Sequence, residues 1–394
     1  MSLLVTVTGP DHPGVTATLF DAIGTTPVSD VEQVVLHGRL LLGFVLETLE
    51  PAVQTALRAG AAAVGVEVTF RELTDVEPAE NAAAENDAGT VRHHVVVLGA
   101  PLLPAALAAV ARGLADCGAN IERIHRLSSY PATSYELLVS GGETGRLRLQ
   151  LARDAVRHGV DIAVEQASLY RRARRLVVLD VDSTLVQGEV IEMLAQEAGC
   201  APEVARVTAA AMAGELDFEQ SLRARVALLT GLPVEAVDLV RQAVTLTPGA
   251  RTLVRTLQRL GYAVGIVSGG FTAITDDLAD TLRLDHARAN VLEVRDGRLT
   301  GALVGPVVDR AAKASALREF AAAEGLTLAQ TVAIGDGAND LDMLAAAGLG
   351  IAFNAKPVVR DAADAAVSVP FLDAVLFLLG ISRAEIVAAD ALDV

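Results

Sequence analysis

A run of four apolar residues, Leu176 to Leu179, leads directly into two aspartates, Asp180 and Asp182. A short and wholly apolar run of this kind is typical of a strand that is buried on both faces of a sheet. Residues two apart on a strand share a face, so both carboxylates leave its carboxyl end in one direction. In an open α/β sheet, ligands bind at that edge. Two adjacent carboxylates repel unless one holds a proton or a cation lies between them, and their oxygen atoms suit Mg²⁺.

The two-aspartate motif is short, and on its own an ordinary turn after a strand is the commoner explanation. Two later predicted strands, over 262–267 and 331–334, also end in glycine-rich polar loops, at 268–270 and 335–340. Strands that alternate with helices predict a parallel sheet with helices on both faces. All three loops then meet at one edge of that sheet, which makes a shared site a better explanation than three unrelated turns.

The rest of the C-terminal part fits the same architecture. We predict one α/β domain over 169–394, with a doubly wound parallel sheet and a helical cap over about 189–247 that is inserted after its first strand. An Asp-Gly pair at 296–297 predicts a hairpin within it.

Before this domain the chain repeats one small pattern twice. Residues 1–72 and 91–168 each predict the order β-α-β-β-α-β, which is the ferredoxin-like α+β arrangement. The stretch 73–90 is acidic and lacks large apolar residues, so we predict a linker there. The chain therefore divides into two small repeats and one larger domain.

Composition excludes several classes of partner. The net charge of −17 disfavours nucleic acid and anionic membranes. No apolar stretch is long enough to span a bilayer, and no basic residue precedes Arg39 to mark a secretory signal. The two cysteines, Cys117 and Cys200, lack metal spacing, and we expect buried thiols in a cytoplasmic protein.

The three loops carry the parts of one phosphoryl-transfer reaction. Asp180 can attack phosphorus as a nucleophile, and Asp182 can protonate the leaving oxygen and then deprotonate water. A Mg²⁺ ion held by Asp180, the backbone carbonyl of Asp182 and Asp336 would neutralise charge on the transferring group. Ser268 and Gly269 can direct a hydroxyl and N–H groups at phosphate, and Lys313 adds a positive point charge.

Each of these parts has a plain structural explanation as well. The loop at 268–270 could be a strand-to-helix turn, Lys313 a surface lysine on an amphipathic helix, and 335–340 a calcium-like loop. Their occurrence together, in one order, favours a phosphatase. Lysine usage adds to this, because Lys313 and Lys356 are the only lysines among 32 lysines and arginines.

The motifs over 180–186, 268–271 and 335–341, together with Lys313, resemble those of the phosphoserine phosphatases, a family of the haloacid dehalogenase superfamily. The resemblance covers the whole of 169–394. It implies that O-phospho-L-serine is hydrolysed to L-serine and phosphate in the last step of serine synthesis. It also implies an aspartyl-phosphate at Asp180 and one Mg²⁺ per site, with Mn²⁺ as an alternative.

The resemblance also assigns residues of the cap and of the third loop. It places Glu189 against the substrate ammonium and Arg225 against its carboxylate, with Met212 and Phe218 closing the lid. It places Asn339 beside the phosphate. A zwitterionic substrate does need one anion and one cation. The residues alone do not distinguish Arg225 from Arg223, or Glu189 from Glu192.

The first repeat carries a loop over 7–14 that resembles the opening loop of ACT domains, which bind amino acids in metabolic enzymes. The resemblance makes Asp11 and Gly14 candidates for a regulatory site, with L-serine or another amino acid as its feedback ligand. The second repeat lacks the same core at 98–104. Both repeats could instead serve only to pair subunits, and we expect a homodimer.

Two other functions compete with this one. The first is phosphoryl transfer to another acceptor, or hydrolysis of another small phosphate ester. The second is an amino-acid sensor on an inactive phosphatase scaffold, which predicts a lost nucleophile or metal ligand. Because Asp180, Asp182, Lys313 and Asp336 are all present, the sensor is the weaker alternative.

Overall fold

The computed structural model describes residues 2–48, 50–73, 91–168, 173 and 175–391, with the side chain of Met212 left out. Of the predicted linker at 73–90, residues 74–90 lie outside the described residues, as do the basic residues 171, 172 and 174. The chain forms two compact units, Met1–Thr90 and Val91–Val394, and each is described by itself.

The first unit is one β-α-β-β-α-β fold. Its strands and helices are β1 (Leu3–Pro10), α1 (Val15–Ile23), β2 (Val28–Leu36), β3 (Arg39–Leu46), α2 (Pro51–Ala63) and β4 (Glu67–Glu72). The strands form an antiparallel sheet in the order β2-β3-β1-β4. Alternate residues of β1 point to the helices, so Val5 and Val7 are buried with Leu19 of α1 and Leu57 of α2.

The second unit begins with the same fold. Its elements are β5 (Arg92–Gly99), α3 (Pro104–Asp116), β6 (Ala119–Ser128), β7 (Thr133–Gly141), α4 (Thr144–His158) and β8 (Asp161–Gln166). The sheet order β6-β7-β5-β8 matches that of the first unit strand for strand. The predicted internal repeat is thus present in the structure as two copies of one topology.

A seven-stranded sheet forms the centre of the remaining chain, in the order β12-β11-β10-β9-β13-β14-β15. Its strands are β9 (Leu176–Leu179), β10 (Ala263–Phe271), β11 (His286–Arg295), β12 (Arg298–Val304), β13 (Thr331–Gly335), β14 (Leu349–Phe353) and β15 (Ala365–Val367). Six strands are parallel, which confirms the predicted sheet. The edge strand β12 is antiparallel because the Asp296-Gly297 turn folds it back on β11.

Helices cover both faces of this sheet. They are α9 (Ala250–Arg259), α10 (Thr272–Leu282), α11 (Arg310–Ala323), α12 (Leu341–Ala346), α13 (Pro357–Arg360), α14 (Val375–Leu378) and α15 (Arg383–Ala391). The strand β9 lies at the centre with all four residues fully buried. The apolar run before Asp180 is therefore a buried strand, as its composition predicts.

The cap follows β9 and consists of α5 (Val190–Glu197), α6 (Ala201–Met212), α7 (Phe218–Ala227) and α8 (Val234–Ala243). The predicted cap is therefore helical in the structure. Gly214 and Gly231 lie between its later helices, with left-handed φ angles of 83° and 86° that a helix does not continue through.

One predicted strand end is wrong. The strand β10 does not stop before Ser268 but continues to Phe271, and its pairing with β11 shifts between Val267 and Phe271. A bulge of this kind redirects side chains without ending the strand. Gly269 and Gly270 lie within the bulge, where the missing side chains permit the distortion.

The second repeat packs directly on the larger domain. The strand β15 at the sheet edge approaches β8, where buried Asp161 accepts hydrogen bonds from the backbone N–H and the hydroxyl of Ser368, at 2.6 and 2.8 Å. Arg148 reaches Asp364 at 3.0 Å. The predicted domains 91–168 and 169–394 therefore belong to one compact unit.

In the described part of the chain, no helix has both the length and the apolar character that crossing a bilayer requires. The two cysteines are free, and both are partly exposed rather than buried as expected. Each lies beside a helix end, Cys117 after α3 and Cys200 before α6, where the chain turns back to the surface.

Candidate active site

A cavity of about 630 Å³ lies between the carboxyl edge of the sheet and the cap. Asp180 and Asp182 follow β9, Gly269 and Gly270 end β10, and the loop after β13 brings Asp336, all lining this cavity. The three loops that the sequence analysis singled out therefore converge. They do so because parallel strands deliver their carboxyl ends to one edge.

A buried lysine holds Asp180, one of the residues that line the cavity. The Nζ atom of Lys313, on α11, donates to Oδ1 of Asp180 and to Oδ1 of Asp340, each at 2.6 Å. Lys313 and Asp340 have no exposed surface, and Asp180 is 4% exposed. Because Lys313 is fully buried, it is not the surface lysine of the alternative explanation. Its burial depends on the two aspartates, since burying an unpaired ammonium is very costly.

Burial by itself lowers the pKa of the Lys313 ammonium, but the charges of Asp180 and Asp340 outweigh it and raise that pKa. Burial and the charge of Asp340 raise the pKa of Asp180 well above its usual value, against the opposing effect of Lys313. Two carboxylates share one ammonium, so the cluster carries surplus negative charge. A further cation is needed for both to be ionised at once.

Asp336 completes the group that could hold this cation. Carboxylate oxygens of Asp180, Asp336 and Asp340 lie within 4.8 Å of one another. Asp340 is occupied otherwise, because its Oδ2 accepts from the backbone N–H groups of Asp336 and Gly337 at 3.2 and 2.9 Å. Asp340 thus orients the loop and the lysine, while Asp180 and Asp336 remain to bind a cation.

The hydroxyl of Thr184 holds Asp336 by donating to its Oδ1 at 2.8 Å. Burial raises the pKa of Asp336 to about 6, although this hydrogen bond opposes the rise. An uncompensated carboxylate of this kind fits a site for a hard divalent cation, and oxygen-only donors suit Mg²⁺.

Asp182 is held by two donors. Its Oδ1 accepts from the N–H of Val190 at 2.8 Å, and its Oδ2 accepts from the hydroxyl of Ser268 at 3.3 Å. Burial raises its pKa, and these hydrogen bonds limit the rise. A carboxyl group whose pKa is raised in a cavity can hold and release a proton, as an acid–base residue must.

The bulge in β10 brings donors to the same cavity. Ser268 is fully buried, and its hydroxyl accepts from the N–H of Gly270 at 2.7 Å. The amide of Asn290 on β11 donates to the carbonyl of Gly269 at 2.8 Å, which fixes the bulge. The sequence analysis did not identify Asn290, because nothing in its local sequence distinguishes it from a surface residue of a strand.

On the cap side, Glu189 and Arg225 both line the cavity. The hydroxyl of Ser183 donates to Glu189 at 3.0 Å. Burial raises the pKa of Glu189 to about 7, and the charge of Asp182 adds to the rise. The residue is nevertheless exposed to solvent on its cavity side, where water weakens both effects. Burial lowers the pKa of Arg225, and Glu189 opposes that shift.

The structure separates two of the alternatives that the sequence left open. Arg225 faces the cavity, whereas Arg223 forms an ion pair with Glu219 at 2.7 Å outside it. Glu189 and Glu192 both line the cavity. Glu189 is distinguished from Glu192 by its contact with Ser183, the neighbour of Asp182, whose hydroxyl donates to Glu189.

The remaining predicted residues are distributed as follows. Phe218 and Asn339 line the cavity. Met212 ends α6, and its side chain lies outside the described residues. Asp11 and Gly14 belong to the first unit, where Gly14 precedes α1 with a φ of 96°.

Two basic residues that line the cavity were absent from the predicted site, Arg310 and Lys356. Lys356 follows β14, a fourth parallel strand that ends at the same edge. The rarity of lysine in this chain pointed to Lys356 as a candidate site residue. The loop after β14 has no recognised motif that would have placed it in the site.

Comparison with known proteins gives three domain matches. Residues 177–345 match a haloacid dehalogenase-like hydrolase, and residues 1–71 and 91–165 each match an ACT domain. A phosphoserine phosphatase of Streptomyces coelicolor is 57% identical over 393 residues, which cover 99% of this chain and 95% of that protein.

Two solved structures are also similar. A probable phosphoserine phosphatase of Vibrio cholerae, in unliganded form, is 37% identical with a TM-score of 0.58, covering 76% of this chain and 88% of that one. A phospho-aspartyl intermediate analogue of a phosphoserine phosphatase is 45% identical with a TM-score of 0.50, covering 52% of this chain and 98% of that one.

Proposed function

Since this chain belongs to the phosphoserine phosphatase family of haloacid dehalogenase-like hydrolases, we propose that it hydrolyses O-phospho-L-serine to L-serine and inorganic phosphate. One observation carries the proposal. The carboxylate of Asp180, to which buried Lys313 donates, lines the same cavity as an anion, Glu189, and a cation, Arg225. A phosphate ester of a zwitterionic amino acid needs these groups together.

In the first step Asp180 attacks phosphorus. Lys313 holds Oδ1 of Asp180, which orients the carboxylate and offsets charge on the transferring phosphoryl group. A bond forms between an Asp180 oxygen and phosphorus, and the bond from phosphorus to the serine oxygen breaks. A similar solved structure is that of a phospho-aspartyl intermediate analogue of a phosphoserine phosphatase, which supports this covalent step.

Asp182 moves the proton in both steps. It gives a proton to the serine oxygen as that oxygen leaves, and it then removes a proton from the attacking water. The water oxygen bonds to phosphorus, the bond to Asp180 breaks, and inorganic phosphate leaves. The raised pKa of Asp182 and its position beside Ser268 support this role.

The bulge at 268–270 would bind the phosphate through the hydroxyl of Ser268 and the N–H groups of the glycines, with Asn339 beside them. Glu189 would receive the ammonium and Arg225 the carboxylate of the substrate. Phe218 would close over the reaction and exclude water that does not take part.

Asp180, the backbone carbonyl of Asp182 and Asp336 would hold one Mg²⁺, whose bound charge offsets the anionic phosphoryl group. The hard oxygen donors and the raised pKa of Asp336 support this choice, with Mn²⁺ as an alternative.

The two ACT domains support regulation by an amino acid, and L-serine, the product, is our choice of ligand. Release of serine from its phosphate would be the last step of serine synthesis. We also propose that the active form is a homodimer.

The test is phosphate release from O-phospho-L-serine with Mg²⁺, with and without EDTA. We expect release that EDTA abolishes and Mg²⁺ restores. Asp180→Asn keeps the shape of the side chain and should lower the rate by at least about 10³-fold. Asp296→Asn, in the exposed turn between β11 and β12, is the matched control and should leave the rate unchanged. A rate for Asp180→Asn within tenfold of the parent would contradict the covalent mechanism.

A further inference from the structure

A fourth loop reaches the cavity, after β14. This strand pairs in parallel with β13, so its end lies at the same edge as Asp336. Asn354 follows with a left-handed φ of 45°, a conformation that asparagine tolerates better than most residues. The chain then turns so that Lys356 lines the cavity at the start of α13.

Arg225 is assigned to the substrate carboxylate in the proposed function, and the other basic side chains at or next to the cavity are Lys313, Arg310 and Lys356. Lys313 is shared by two aspartates, and Arg310 pairs with Asp342 at 2.5 Å. Lys356 is exposed, and within the part of the chain that the structure describes no carboxylate lies within ion-pair distance of its ammonium. It therefore presents an uncommitted positive charge at the mouth of the cavity.

An uncommitted cation has a use at this position. The chain carries a net charge of −17, and several carboxylates line the cavity. The proposed substrate is itself anionic, because its phosphate carries about −1.5 to −2 charges at neutral pH. Electrostatic repulsion would slow entry unless a local positive charge offsets it, and charges within a cleft act over about a Debye length of 8–10 Å.

We infer that Lys356 is a further substrate-binding residue, which attracts the phosphate ester into the cavity before the cap closes. This inference rests on the proposed function. Its effect belongs to association and to KM, since Lys313 and the bulge at 268–270 hold the phosphate during chemistry.

The second ACT domain holds the segment that carries this lysine. Four residues after Lys356, Arg360 lies 3.5 Å from Asp161 of β8. Asp161 also accepts from the backbone N–H and hydroxyl of Ser368, and the N–H of Asn354 donates to the carbonyl of Val367 at 2.8 Å. The segment 354–368 is thus fastened at both ends. Asp161 is a positioning residue for Lys356 in this arrangement.

The first experiment compares Lys356→Gln with Lys356→Arg in the Mg²⁺-loaded, full-length protein. Arg318→Gln is the matched control, because it removes one positive charge from an exposed position on α11 outside the cavity. At low salt we expect Lys356→Gln to lower kcat/KM for O-phospho-L-serine about fivefold through KM, with kcat within twofold. Lys356→Arg should stay near the parent value.

Salt dependence and phosphate affinity distinguish substrate attraction from a structural role, because a structural role of Lys356 would change neither of them in this way. The loss in Lys356→Gln should shrink towards zero as ionic strength rises to about 1 M, where the Debye length is about 3 Å. The affinity for inorganic phosphate, measured by titration calorimetry, should fall in the same variant without any turnover. Equal kcat/KM and equal phosphate affinity in Lys356→Gln and Arg318→Gln would overturn the inference.

These outcomes are distinct from failure of the proposed function. If the parent protein releases no phosphate from O-phospho-L-serine, the proposed function fails, whereas the calorimetric comparison still decides the role of Lys356.

The positioning role of Asp161 is tested by Asp161→Asn, with Ser368→Ala as a second variant should the first fail to fold. Either should raise KM in the same direction as Lys356→Gln, and the double variant with Lys356→Gln should lose no more than Lys356→Gln alone. If the losses of the two single variants add fully in the double variant, Asp161 of the second ACT domain does not act through Lys356.

Discussion

The ring of Phe218, at the start of a cap helix, lies directly over Gly269 of the bulge in β10. A Cβ atom placed on Gly269 would lie 2.9 Å from Cζ of Phe218, and real Cβ atoms essentially never approach a heavy atom so closely. The cap therefore rests on the loop that we propose to bind phosphate, and a side chain at position 269 would displace the ring of Phe218. The proposed lid and the proposed phosphate-binding loop meet at this contact.

Gly269→Ala should therefore impair closure. Overpacking of about 1–3 kcal/mol predicts a loss in kcat/KM of about 5- to 150-fold. Gly269→Ala combined with Phe218→Leu, which removes the far end of the ring, should recover part of the loss. Gly43→Ala, at a glycine of the first unit with no atom near its Cβ position, is the control. Failure of the double variant to recover any activity would show that the clash is not with the cap.

Arg225→Ala should reduce activity on O-phospho-L-serine far more than on an aryl phosphate without a carboxylate. A charge-assisted hydrogen bond contributes about 1.5–3 kcal/mol, so a loss of about 10- to 150-fold in kcat/KM is expected. Arg223→Ala is the matched control, since Arg223 is paired with Glu219 outside the cavity. The steady-state kinetics of both substrates decide the matter, and equal losses on the two would exclude Arg225 from carboxylate recognition.

Binding of the substrate ammonium should depend on pH through Glu189. Its pKa is raised to about 7, so the carboxylate is ionised above that pH and becomes neutral as the pH falls through it. A neutral Glu189 no longer attracts an ammonium, and KM should rise by about tenfold from pH 8 to pH 6. The phosphate group titrates near pH 6 and contributes to the same trend.

Glu189→Gln separates these two contributions. The variant should have a raised KM at pH 8 and should retain only the smaller trend that arises from phosphate. An identical pH dependence of KM in parent and variant would contradict the role of Glu189.

Gly14→Ala should weaken any inhibition by L-serine while basal turnover stays unchanged. Gly14 has a φ of 96°, which costs a residue with a side chain about 1–2 kcal/mol, so the loop over 9–14 should shift. Gly24→Ala, at the other end of α1 and also left-handed, with a φ of 63°, is the control for strain alone. Inhibition curves for L-serine that coincide in all three proteins would remove this loop from regulation.

The sequence predicts helices and strands correctly where the pattern of apolar residues within one element decides its bounds. The strand β9 begins and ends where its apolar run predicts. An error arose where long-range packing decides. The strand β10 continues through its glycines because β11 pairs with Phe271 beyond them.

The site shows the same division. The order of the motifs along the chain determined that Asp180, Asp182, Ser268 and Asp336 would meet, because parallel strands bring their carboxyl ends to one edge. Arg225 could not be separated from Arg223 without the family resemblance, since the two differ by half a helical turn in a helix of unknown orientation. Their surroundings in the folded chain separate them.

The sequence by itself determined the repeated α+β folds, the parallel sheet and the composition of the catalytic edge. These depend on residue periodicity and on the order of elements, which are properties of neighbouring positions. Only the tertiary structure decided that Lys313 is buried between two aspartates, that Phe218 covers Gly269 and that Lys356 faces the cavity. Those facts are distances between residues far apart in the chain, and packing of the whole domain determines them.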